Sequence, residues 1–210
     1  MATAAVTAIA LVVQLVNNIL ETPGRGFAPD LDAYGSALQR TVTWSSFFTT
    51  QSNMLVLLAA VLLAVLPGRT EQWVSWVRLS GLVGITITFV VNLLVLRPIT
   101  ADLYSGIWVL TDFSLHYLTP AMCVSGWVLF GPRPRMSTKV FKLFLVWPAI
   151  WLAYTFARGA IIGWYPYPFL DVTELGYAQV LLATACVLAI GLAVARAFVS
   201  LDARLAARPN

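Results

Sequence analysis

Long stretches without a charged side chain constrain this chain more than any other feature. None occurs from Ala2 to Leu20, from Thr41 to Gly68 or from Leu79 to Leu96, and from Phe113 to Pro132 the one ionisable nitrogen base is His116. About 18 apolar residues in a helix, rising about 1.5 Å each, can cross the roughly 30 Å hydrocarbon core of a bilayer. Reading the chain this way predicts six helices, at about 2–20, 42–66, 78–96, 107–130, 141–158 and 175–196. The expected fold class is an all-α membrane protein: a six-transmembrane-helix bundle, one integral membrane domain over 1–210. Composition agrees, at 60% hydrophobic and 10% charged with a mean hydropathy of +0.82. A soluble domain carries about 25% charged residues.

The breaks between helices are rich in proline and glycine: "ETPGRGFAPD", "PGRTEQ", "RPITAD", "GPRPRMSTK" and "GWYPYPFLDVTE". Proline ends a helix because it lacks the N–H donor, and glycine because it loses most conformational freedom there. Residues 1–20 have no basic leader before their apolar run, so they read as the first helix and not as a cleaved signal.

Loops rich in Lys and Arg stay cytoplasmic. The second–third and fourth–fifth connections and the C-terminal tail hold Arg69, Arg78, Arg133, Arg135, Lys139, Lys142, Arg196, Arg204 and Arg208. The opposite side holds only Arg25, Arg40, Arg97 and Arg158. The bias predicts that both termini face the cytoplasm, and it explains the net charge of +4 without a nucleic-acid partner. Eleven arginines against two lysines, with abundant Ala, Val and Leu, suggest a GC-rich bacterial genome and hence a bacterial plasma membrane.

With that orientation, polar residues of different helices fall at one depth. "TVTWSSFFTTQSN" tops the second helix, and Asp112, His116 and Thr119 share a face of the fourth. Thr49 and His116 each come to lie roughly 10–14 Å below the outer boundary. Asn17, Asn18, Asn92, Tyr154, Arg158 and Glu174 join them, while Trp164 and Tyr165 belong to an aromatic loop above. The expectation is a polar pocket in the outer half. Any one of these Ser, Thr or Asn side chains could instead make only an interhelical hydrogen bond, and Arg158 could pair with Asp112, Asp171 or Glu174.

The chemistry open to such a pocket is narrow. Cys123 and Cys186 sit alone in apolar segments and read as packing residues, so neither metal nor cofactor is expected. There is no phosphate-binding glycine loop and no G-x-S-x-G elbow. What remains is a hydroxyl made nucleophilic by one histidine, with His116 as base and Thr49, Thr50, Ser52 or Thr119 as the hydroxyl. Asp112 could orient the ring, and Gln51, Asn53 or Asn92 could donate to an oxyanion.

"WSSFFTTQSN", "HYLTP" and "GWYPYPFLD", in that order along nearly the whole chain, resemble the androgen-induced-gene (FAR-17a-like) family of six-helix membrane proteins. Its animal members hydrolyse fatty acid esters of hydroxy fatty acids with a membrane-embedded threonine and a histidine. The resemblance implies that Thr49, in Phe47-Phe48-Thr49, is the nucleophile and His116 the general base, with Thr50 as the register alternative. Animal members carry Asn where this chain has Asp112. The implied function is an intramembrane lipid ester hydrolase acting on a lipid or acyl ester. The alternatives are a lipid- or small-molecule-binding carrier, channel or sensor using the same cavity, and a structural subunit of a larger membrane complex. Sequence does not specify an oligomeric state.

Overall fold

A computed structural model describes residues 1–20, 36–133 and 136–207. Arg25, Arg135 and Arg208, which entered the charge count above, lie outside the described residues. Among those described there are helices and turns and no strand. Six helices are long and apolar enough to cross a membrane, the make-up of a multi-pass integral membrane protein. The chain forms two compact units, 1–131 and 132–207 within the described residues.

In the first unit, α1 (Ala2–Ile19) is followed by α2 (Ala37–Ser46) and α3 (Phe48–Val65). Then come α4 (Gln72–Val91), a π turn (Asn92–Leu96) and α5 (Arg97–Thr100) as one continuous rod. After a 3-10 turn (Ala101–Leu103), α6 (Ile107–Phe113), a second π turn (Ser114–Leu118) and α7 (Thr119–Phe130) form another.

The unit buries many polar side chains among its apolar core and leaves many large apolar ones exposed. Thr7, Asn18, Thr43, Ser52, Asn53, Ser80 and Thr119 are fully buried, whereas Leu94, Leu110 and Phe130 stand exposed. Water would penalise that arrangement; a lipid solvent favours it, since backbone and side-chain polar groups must then be satisfied internally. α4 is the most enclosed helix, and small residues let it approach α3. A Cβ on Gly81 would lie 3.3 Å from the backbone of Leu55 and Val56.

Helix boundaries differ from the sequence expectation in most spans. The second starts earlier, at Ala37, and the third at Gln72; the fifth, expected over 141–158, is split into Thr138–Phe144 and Val146–Ile162. The second span, expected unbroken over 42–66, is split at Phe47, whose backbone is extended (ψ 134°). Ser45 and Ser46 turn their hydroxyls back onto the Val42 carbonyl, at 2.8 and 2.7 Å, and such bonds compete with the helix ladder. Gln51 donates to the Ser45 carbonyl across the break (3.1 Å). The third span, expected to stop at 96, runs through Pro98 to Thr100 because the π turn before it makes room for the ring. The sixth, expected over 175–196, extends from Val172 to Ala206.

In the second unit, α8 (Thr138–Phe144) and α9 (Val146–Ile162) make the fifth span, and α10 (Val172–Ala206) the sixth. Asp171 caps α10 by accepting from the Thr173 and Glu174 amides, and Gly176 (φ 73°) interrupts its first turns. Buried Asp202 accepts from the Met136 amide (3.0 Å) and lies 4.0 Å from Arg133.

Candidate active site

Two in-membrane prolines shape the site. A proline inside a helix has no N–H to give and crowds the preceding turn. Pro98 and Pro120 each follow a five-residue π turn and one further residue: Asn92–Leu96 then Arg97, and Ser114–Leu118 then Thr119. In each turn the amide after it reaches five residues back, Arg97 to the Asn92 carbonyl and Thr119 to that of Ser114. Such wide turns are rare and concentrate at functional sites.

The second turn carries His116. With Thr119 bonded to Ser114 and Pro120 without a donor, the Leu115 carbonyl needs another partner. Asn53 of α3 supplies it, donating at 3.3 Å to Leu115 and at 2.9 Å to the Thr49 carbonyl. One amide thereby ties the first turn of α3 to the histidine turn. Behind them Leu115, Trp44, Ala10 and Leu11 form a buried apolar cluster, with Trp44 Nε1 donating to Gln14 (2.8 Å).

Thr49 Oγ1 then lies 3.2 Å from His116 Nε2. On the ring's other side, Nδ1 is 2.9 Å from Asp112 Oδ1 and 3.2 Å from the Asp112 carbonyl. Both Nδ1 neighbours are acceptors, which puts the proton on Nδ1 and a lone pair on Nε2, facing the threonine hydroxyl. The far carboxylate oxygen, Oδ2, is 3.4 Å from Arg97 NH1. Thr49, His116 and Asp112 are all buried, at 9, 8 and 4% exposure. Thr49 is the second residue of α3, so the helix's positive end lies beside its hydroxyl.

The remaining sequence candidates divide. Thr50 is buried one position further along α3, and it is Thr49 that meets the histidine. Thr119 is bonded to Thr7 (3.2 Å), tying α7 to α1. Gln51 and Asn53 spend amide hydrogens on backbone carbonyls, whereas Asn92 Nδ2 is buried without a partner among the described residues. Ser52 Oγ is likewise buried and unpartnered.

Tyr154, Arg158, Trp164 and Tyr165 belong to the second unit. There the Arg158 guanidinium stacks over the Trp164 ring at 4.9 Å, and Tyr165 packs its ring directly on Gly159. Of the acids suggested for Arg158, Asp112 meets His116 and Arg97, and Asp171 caps α10.

Arg97 is the residue that sequence reasoning missed, because it was read as a loop charge beyond a helix end. The signal was the proline after it: an X-Pro pair inside an apolar run marks a widened turn as well as a terminus. Among the described residues, no three His, Cys, Asp or Glu side chains gather to hold a metal ion. No protein-family model, curated protein or solved structure matches this chain.

Proposed function

We propose that this chain is an intramembrane lipid ester hydrolase with Thr49 as nucleophile and His116 as general base, a bacterial relative of the androgen-induced-gene family. The observation that carries the reading is the buried relay Thr49 Oγ1–His116–Asp112, at 3.2 and 2.9 Å. Nε2 takes the hydroxyl proton as Oγ1 attacks the ester carbonyl. The tetrahedral intermediate then expels the alcohol oxygen, which receives the proton from His116, leaving an acyl-threonine. Water, deprotonated by His116, attacks that ester; the acid departs and Thr49 regains its proton.

Asp112 accepts from Nδ1–H, keeps the reactive tautomer and compensates the transient imidazolium. The positive end of α3 favours the negative charge developing next to Thr49. Long acyl chains suit the apolar surroundings, and the Lys and Arg bias supports a site in the outer half, with both termini cytoplasmic.

Purified protein should cleave some members of a panel of long-chain acyl esters and react with a fluorophosphonate. Thr49→Ala and His116→Ala should abolish both, and Thr50→Ala should leave labelling intact. Hydrolysis surviving in both of the first two variants would sink the mechanism. A pH-dependent flux in proteoliposomes without ester cleavage would point to a carrier instead.

A further inference from the structure

The contact between Arg97 and Asp112 has no part in the steps above, and its geometry is odd for a stabilising ion pair. The Arg97 side chain is 39% exposed and makes a single 3.4 Å approach through NH1. Exposed one-point pairs contribute little to stability. Asp112 is the opposite case, 5% exposed in an apolar helix, where an uncompensated carboxylate is costly.

The neighbouring elements offer no other cation among the described residues. α1 and α3, which pack on the histidine turn, have no ionisable side chain. The only one on α4, Arg78, lies about five helical turns before Arg97. Arg40 of α2 donates to the Ile19 carbonyl. On the histidine turn itself, Tyr117 packs its ring on Phe89 and Phe113. Asp102, on the 3-10 turn after α5, is an acid.

The two carboxylate oxygens of Asp112 are thus divided, Oδ1 for the histidine and Oδ2 for the arginine. We propose that Arg97 is a positioning residue: by engaging Oδ2 it holds the Asp112 carboxyl with Oδ1 turned to His116, and so keeps the imidazole proton on Nδ1 and the lone pair toward Thr49. The guanidinium acts through the buried carboxylate, its contact being with Asp112. The kinetic part of this inference rests on the hydrolase reading; the tautomer part does not.

His116 is the only histidine in the chain, so ¹⁵N-histidine labelling gives one imidazole whose shifts report its tautomer directly. The wild type should show the Nδ1–H form. Arg97→Gln should give a mixture with the Nε2–H form, while the protein remains folded. kcat should fall by at least about tenfold with KM little changed, as for loss of ring orientation. Arg97→Met, which keeps the apolar stem and removes the charge, should behave alike, and Arg97→Lys should recover part of both. Because Arg97 acts through Asp112, adding Arg97→Gln to Asp112→Asn should cost nothing further.

An unchanged tautomer in Arg97→Gln and Arg97→Met, or losses that multiply in the double variant, would overturn the proposal. If the tautomer holds while Thr49→Ala still abolishes hydrolysis, the positioning role fails and the hydrolase reading stands. If the tautomer shifts and no ester is ever cleaved, the reverse is true.

Discussion

Asn53 serves the relay without entering it. Its amide bridges the Thr49 and Leu115 carbonyls, so both ends of the Thr49–His116 contact are held by one side chain. Asn53→Leu should leave a buried carbonyl unsatisfied, lowering stability by about 1–3 kcal/mol in a thermal melt in detergent. Hydrolysis should fall further than that loss explains, because the two reacting groups are no longer tied. Asp112→Asn should keep the fold yet slow hydrolysis by about tenfold or more, since the amide can also stabilise the wrong tautomer. Kinetics of the purified variant check this. Helical spacing and a polar-topped neighbour made His116, Asp112 and a set of hydroxyls legible in sequence, but only the family resemblance singled out Thr49 from Thr50, Ser52 and Thr119. Asn53's bracing role was not legible, because it answers a carbonyl whose need arises only once Pro120 and the π turn are in place.

The elements repeat the lesson with different residues. Span number was readable from hydropathy, a sum that tolerates local irregularity; span length was not, the sixth running over Val172–Ala206 against an expected 175–196. The break at Phe47 and the two π turns were not readable either, because each depends on which donor reaches which carbonyl. Pro120→Ala restores an N–H and lets the histidine turn relax toward an ordinary helix. Stability should hold or rise while activity drops, and comparing melting with hydrolysis tests that pairing. Close packing makes the opposite kind of site. A methyl on Gly159 would collide with the Tyr165 ring, which is itself buried, so Gly159→Ala should cost about 1–3 kcal/mol in the same melt. Gly81→Val should likewise force α3 and α4 apart, seen as a lower melting temperature with the helical signal kept.

Across the described residues, buried threonines and asparagines together with many exposed leucines and valines suit a lipid solvent, in keeping with the six apolar spans. The proposed direction of insertion, argued from the Lys and Arg bias, is testable in cells. With Cys123 and Cys186 replaced by alanine, an impermeant thiol reagent should label a cysteine at Asp102 from outside and one at Arg69 only after permeabilisation. The reverse pattern would invert the proposed topology. The widened turns carry a consequence for the history of such a chain. Each holds one residue more than the surrounding helix requires, so deleting a single residue from 92–96 or 114–118 would restore regular winding at little expense to the spans. Such a protein should still insert and melt cooperatively, but Arg97 or His116 would swing away from Asp112. On the proposed reading, an indel of one amino acid would remove the relay and leave the spans intact.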